Sequence, residues 1–130
     1  NNYVDEHKLR EVVQINGPAY DKEKEKILLD SDVFIHTSRL EGQPTAVIEA
    51  ISYGIPVIVT PGTNITDIVK ENKLGFCCEL DNNEIFKCVK NVYEHKNNLE
   101  NISKNELIYA KEKFNWDIIV KEMIKEYSKN

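Results

Sequence analysis

Four short apolar runs, separated by segments rich in helix formers, constrain this chain more than any other feature of its sequence. They read VVQING, VFIHTS, PVIVTPG and LGFCCEL, at residues 12–17, 33–38, 56–62 and 74–80. Short runs that are apolar throughout are typical of parallel strands buried on both faces. Strands that alternate with helices build right-handed βαβ units. The sequence therefore predicts an α/β fold, a Rossmann-like partial parallel sheet of about four strands flanked by helices.

The chain changes character after Asp81 and predicts helices only. Three segments, which begin near Asn82, Asn98 and Asn115, space their apolar residues at helical intervals. No Gly/Ser linker or internal repeat interrupts the chain. We therefore expect residues 1–130 to form a single domain with C-terminal helices.

Composition argues against two classes of partner. The chain carries 22 Asp plus Glu against 17 Lys plus Arg, and no basic stripe with interleaved aromatics suggests nucleic acid. No apolar run approaches the roughly 18 residues of a membrane span, and no segment resembles a signal peptide.

The three cysteines (Cys77, Cys78 and Cys88) lack the CxxC spacing of a metal site. We expect reduced thiols in a cytoplasmic protein, and peripheral attachment of a longer parent protein to the inner face of a membrane stays open.

The stretch RLEGQPTAVIEAISYGIPVIV, residues 39–59, predicts a helix that follows the second apolar run. Pro44 suits a first helical turn because its missing N–H would have no acceptor there. Gly54, with Pro56 after it, is typical of a helix end. The predicted helix faces the sheet with Val47, Ala50 and Ile51.

Two carboxylates lie on either side of this helix start. Glu41 precedes it, and Glu49 lies one turn inside it on the same face as Thr45. Free N–H groups at a helix start attract an anion such as phosphate. Carboxylates on either side of that anion can accept hydrogen bonds from hydroxyls. A phosphate between two groups that carry hydroxyls is the pattern of a nucleotide sugar. The spacing alone leaves a plainer alternative open, in which Glu41 interacts only with the helix dipole and Glu49 is solvated.

Residues 31–69 resemble the nucleotide-sugar-binding segment of the GT4 (group 1) family of retaining glycosyltransferases, which have the GT-B architecture. The resemblance rests on a strand that ends in Ser, then Glu-Gly, a Pro, Glu-Ala, Gly-x-Pro-Val and a following Gly. The matching residues are Ser38, Glu41, Gly42, Pro44, Glu49, Ala50, Gly54, Pro56, Val57 and Gly62. A weaker similarity covers most of the chain.

The resemblance implies transfer of a sugar from a UDP- or GDP-linked donor to a glycan or lipid-linked acceptor, with no metal and no cofactor. It implies that Glu41 is catalytic and holds hydroxyls of the donor sugar, and that Glu49 holds the ribose. The implied donor-binding set is Ser38, Glu41, Gly42, Gln43, Pro44, Thr45 and Glu49. Two alternatives are a nucleotide-sugar epimerase of GT-B type and a non-catalytic nucleotide-binding module.

The family also has parts that this sequence does not match. Its upstream Arg and Lys, which grip the diphosphate, and its N-terminal acceptor domain have no counterpart here. We therefore expect an incomplete C-terminal nucleotide-sugar-binding domain, inactive alone. If the sheet follows the doubly wound strand order 3-2-1-4-5-6, the four runs are strands three to six. Strands one and two would lie between the first run and the other three, and their absence leaves a gap in the sheet. That gap predicts an oligomer, a domain swap or a non-standard sheet.

The sequence leaves open the roles of two residues and one loop near this site. His36 is expected either to line the site or to support it from behind. Arg39 faces a phosphate or is an ordinary surface residue. The loop 62–64 contacts the ligand or is simply a turn into the next helix.

Overall fold

The computed structural model describes residues 2–129 and arranges them as an α/β fold. Three short strands alternate with helices in the first part of the chain, and helices alone follow. The elements are α1 (Asn2–Glu6), α2 (Asp21–Leu29), β1 (Phe34–His36), α3 (Thr45–Ser52), β2 (Val57–Val59), α4 (Thr66–Glu71), β3 (Gly75–Cys77), α5 (Asn82–Glu94), α6 (Leu99–Lys113) and α7 (Trp116–Tyr127), with 3₁₀ turns at Pro61–Thr63 and Lys96–Asn98. The predicted fold class and the three C-terminal helices are confirmed.

The sheet of the described residues is parallel, with the strands in the order β1-β2-β3. Ile35 pairs with Ile58, and Ile58 with Phe76. The central strand β2 is fully buried along Val57–Val59, as expected for a strand covered on both faces. This order is the one predicted for the last three strands of a doubly wound sheet.

The hydrophobic core lies between the sheet and α3. Val47, Ala50 and Ile51 of α3 are fully buried, so the predicted apolar face of this helix is confirmed. Gly54 follows the helix with a positive φ of 70°, and a Cβ there would lie 2.8 Å from the Leu107 side chain. Gly54 therefore ends α3 and also lets α6 approach it closely.

The first apolar run, VVQING at residues 12–17, does not form the predicted strand. Val12 and Ile15 are 80% and 56% exposed, and the Val12 and Val13 N–H groups donate to the Leu9 carbonyl oxygen in a turn. A β-prone run becomes a strand only where another strand accepts its backbone hydrogen bonds, and this run pairs with none of the described strands.

The outer edges of β1 and β3 both lack a partner strand among residues 2–129. The edge of β1 is the one at which the predicted gap would lie. The predicted self-association or domain swap through such an edge stays a prediction.

Between Asn2 and Lys129 no helix combines the length and apolarity that crossing a membrane requires.

Candidate functional site

The candidate site lies at the carboxyl ends of the parallel strands. Residues 37–44 follow β1 and lead into α3, and residues 60–65 follow β2 and lead into α4. In open α/β sheets this edge is where ligands bind. The sequence-predicted site residues all lie in the first of these loops or in α3.

Hydrogen bonds join the two loops into one unit. The Glu41 N–H donates to the Gly62 carbonyl oxygen at 2.8 Å, and the Asn64 side-chain amide donates to the Glu41 carbonyl oxygen. The fully buried Thr60 hydroxyl donates to the Ser38 carbonyl oxygen at 2.9 Å. The loop that carries Glu41 is therefore held by the loop after β2.

Gly62 allows the two loops to approach this closely. A Cβ at Gly62 would lie 2.4 Å from the carbonyl oxygens of Ser38 and Arg39, well inside van der Waals contact. The 3₁₀ turn Pro61–Thr63 contains this glycine, and the buried Thr63 hydroxyl donates to the Thr60 carbonyl oxygen at 2.7 Å. Of the two roles expected for loop 62–64, the turn into the next helix is observed, and contact with a ligand stays a prediction.

Glu41 has a basic partner on β1. His36 Nε2 lies 3.1 Å from Glu41 Oε1, and the two side chains are 28% and 33% exposed. The His36 ring lies nearly parallel to the Phe34 ring, 6.2 Å between centroids. This position beside Glu41 agrees with the supporting role among the two that the sequence left open.

Glu49 also has a basic partner, which sequence reasoning missed. Lys24 Nζ of α2 lies 2.8 Å from Glu49 Oε1, and both side chains are 43% exposed. The hydrogen bond to Glu49 raises the pKa of the Lys24 ammonium above its usual range. The spacing places Lys24 one helical turn before the buried Leu28 and so on the same face of α2, but it does not indicate Glu49 as the partner.

The start of α3 lies between the two glutamates along the chain. Pro44 is the N-cap residue, one position before the first turn in which the sequence predicts it. The Val47 and Ile48 N–H groups donate to the Pro44 carbonyl oxygen, and no side chain among residues 2–129 caps this helix start. Pro44 is buried, whereas Gly42, Gln43 and Thr45 are exposed.

Two hydroxyls, that of the predicted Ser38 and that of Ser52 in α3, are already engaged by the backbone. The Ser38 hydroxyl donates to the Leu40 carbonyl oxygen at 3.3 Å, and the Ser52 hydroxyl donates to the Ile48 carbonyl oxygen at 2.8 Å. Arg39 is exposed. Glu41, before α3, and Glu49, within it, thus each have a basic partner.

The chain is thus an α/β domain with a cluster of polar side chains at the carboxyl edge of its parallel sheet. The chain belongs to the glycosyl transferases group 1 family, whose model matches residues 1–108. This match confirms the family that the sequence resemblance indicated.

Three relatives support this assignment. WcaL of Escherichia coli K12, assigned to colanic acid biosynthesis as a glycosyltransferase, is 33% identical over 79 residues, which cover 56% of this chain and 20% of that protein. WcaL of Salmonella typhimurium LT2 is 32% identical over 79 residues, which again cover 56% of this chain and 20% of that protein. Sucrose synthase of Denitrovibrio acetiphilus is 28% identical over 99 residues, 71% of this chain and 12% of that enzyme. The chain thus spans a fifth or less of the length of these relatives.

Proposed function

We propose that this chain binds a nucleoside diphosphate sugar and is the donor-binding part of a retaining glycosyltransferase. The observation that carries the proposal is the pair Glu41 and Glu49, on either side of the exposed start of α3. One oxygen of each carboxylate is held by a basic partner, and the other has no protein hydrogen bond within residues 2–129. The second oxygen can therefore accept a hydrogen bond from a ligand hydroxyl.

Each part of the ligand then has a chemically suitable neighbour. Hydroxyls of the donor sugar bind Glu41, the diphosphate lies near the positive end of the α3 dipole, and the ribose hydroxyls bind Glu49. Gly42, Gln43 and Thr45 are exposed between them and present backbone to the ligand, while Ser38 and Pro44 shape the loop.

The proposed reaction exchanges one bond at the anomeric carbon. Its bond to the diphosphate oxygen breaks with the electron pair leaving on the diphosphate, and a bond to an acceptor hydroxyl oxygen forms on the same face. The hydroxyl proton leaves with the diphosphate. The domain contributes positioning and stabilisation of the developing negative charge, and we propose that it needs no metal.

The relatives and the cysteines support two wider parts of the proposal. Two relatives are named as glycosyltransferases of colanic acid biosynthesis and one as a sucrose synthase, which agrees with sugar transfer. The acceptor that we propose is a glycan or a lipid-linked sugar. All three cysteines are free thiols, as is typical of a reducing compartment such as the cytoplasm.

Calorimetric titration with UDP, GDP and ADP, and with the corresponding nucleotide sugars, tests the binding step. A hydrogen bond to a charged group contributes about 1.5–3 kcal/mol, so Glu49→Ala should weaken nucleotide binding at least about tenfold. Glu41→Ala should weaken the nucleotide sugars more than the free nucleotides. Glu112→Ala, which changes an exposed residue of α6, is the matched control, and EDTA should leave affinity unchanged.

Two results would contradict the proposal. One is a wild-type chain that binds none of these ligands, and the other is nucleotide binding that Glu49→Ala leaves unchanged. Transfer itself is tested in the longest natural polypeptide that contains this chain, with a labelled donor and glycan acceptors. Isomerised donor without acceptor would indicate an epimerase, and binding without turnover would indicate a nucleotide-binding module.

A further inference from the structure

The ion pair between Lys24 and Glu49 links two elements that lie far apart in the chain. Lys24 belongs to α2 and Glu49 to α3, 25 positions later, and their Nζ and Oε1 atoms are 2.8 Å apart. Helix α2 carries none of the site residues that the sequence predicts. The contact therefore brings an otherwise uninvolved helix to the candidate ligand site.

The fold directs this lysine toward α3 in particular. Lys24 shares the inward face of α2 with the buried Leu28, and it is partly covered. Lys22 and Lys26 of the same helix are exposed. The ion pair with Glu49 holds the ammonium of Lys24 in a narrower region than a fully solvated lysine would occupy.

The charge of Glu49 explains what such a partner can do. A diphosphate bound at the start of α3 would be repelled by two nearby carboxylates, and a cation 2.8 Å from Glu49 offsets one of them. The same contact holds one carboxylate oxygen, so the Glu49 side chain has fewer orientations to lose when a ligand binds the other oxygen. Both effects favour the bound state without any contact between the lysine and the nucleotide.

We propose that Lys24 is a positioning residue, which holds Glu49 and offsets its charge so that Glu49 can accept from the ribose of the nucleotide. This inference rests on the proposed function, because it assigns Glu49 to the ribose. It adds a residue of α2 to the donor site, and it makes the effect of Lys24 on binding depend on Glu49.

A double-mutant cycle with UDP and GDP as probes tests this dependence by calorimetry. Lys24→Met should weaken binding about three- to fivefold, the range of a half-exposed ion pair, and the loss should shrink in high salt. Glu49→Gln should also weaken binding. In the Glu49→Gln background, adding Lys24→Met should cause no further loss. Lys24→Arg should restore most of the affinity, and Lys22→Met should match wild type.

Three contrary results would overturn either the role of Lys24 or the proposed function as well. Glu49-dependent binding that is unchanged by Lys24→Met would overturn the positioning role alone. Equal losses from Lys24→Met in the wild-type and the Glu49→Gln backgrounds would mean that Lys24 acts directly on the ligand, and this would also overturn it. A wild-type chain that binds neither nucleotide would overturn the proposed function and this inference together. Unfolding curves of each variant by circular dichroism show whether the fold is unchanged.

Discussion

Glu106 of α6 is fully buried, and neither of its carboxylate oxygens has a hydrogen-bond partner among residues 2–129. Burial in this apolar surrounding raises the pKa of Glu106 from 4.5 to about 9. The side chain is therefore a neutral acid at neutral pH in the folded protein. In the unfolded chain the same group would be ionised.

The sign of the effect on stability follows from the two pKa values. Between pH 4.5 and pH 9 the folded state holds a proton that the unfolded state has released, so stability falls as pH rises through this window. One pKa unit corresponds to about 1.4 kcal/mol. From pH 4.5 to pH 7 the loss is therefore about 3 kcal/mol, and it continues up to about pH 9.

Urea unfolding followed by circular dichroism at pH 5, 7 and 8.5 measures this dependence. Glu106→Gln cannot ionise, so its unfolding free energy should change between pH 5 and pH 7 by about 2.5 kcal/mol less than that of wild type. Glu106→Leu also removes the unsatisfied polar atoms and should be about 1–3 kcal/mol more stable than wild type at pH 7. Glu112→Gln, on the exposed side of the same helix, should follow wild type.

The reasoning is refuted if Glu106→Gln retains the full pH dependence of wild type. A wild-type stability that is flat from pH 5 to pH 8.5 would refute it equally, because an ionised Glu106 would then be accommodated without cost.

Three further changes test the site and its surroundings. Burial raises the pKa of the Cys88 thiol to about 11, so its alkylation by iodoacetamide at pH 8 should be roughly 100-fold slower than that of an unperturbed thiol, measured by mass spectrometry. Gly62→Ala places a Cβ against the Arg39 backbone, which should destabilise the fold by about 2 kcal/mol and weaken nucleotide binding in calorimetry. Thr60→Val removes the buried donor to the Ser38 carbonyl oxygen and should lower the unfolding free energy by about 1–2 kcal/mol in urea.

Each of these expectations has a clear contrary result. Equal alkylation rates for Cys88 in the folded and urea-unfolded chain would show that its thiol is not buried. Wild-type stability of Gly62→Ala would mean that the two loops separate without cost. An unchanged unfolding curve for Thr60→Val would mean that this hydrogen bond contributes nothing beyond what water supplies.

Local patterns in the sequence were sufficient to predict the three observed strands and α3. Strands β2 and β3 lie within runs that are apolar throughout, and β1 lies within VFIHTS. Such runs indicate burial whatever their neighbours are. The apolar face of α3 and its end at Gly54 follow from helical spacing and from the backbone freedom of glycine.

The partners of the two glutamates could not be predicted in the same way. Lys24 of α2 and Glu49 of α3 meet across the fold, and nothing in either helix specifies the other as its partner. His36 and Glu41 are only five positions apart, but they meet through the turn of the loop after β1. The burial of Glu106 could not be predicted either. It is a charged residue in an amphipathic helix, and local spacing gave no reason to expect it in the interior of the protein.

The strand predicted at residues 12–17 shows where the rule for apolar runs stops. Val57–Val59 and residues 12–17 are both β-branched, yet only the first forms a strand, because it lies between two neighbours that satisfy its backbone. The outer edge of β1 is unpaired in the described chain, and residues 12–17 do not use it. Apolar composition therefore determines whether a segment is suited to a strand, while the order of the sheet determines whether a neighbour exists. The site depends on the second condition, since its loops meet only because β1 and β2 are adjacent.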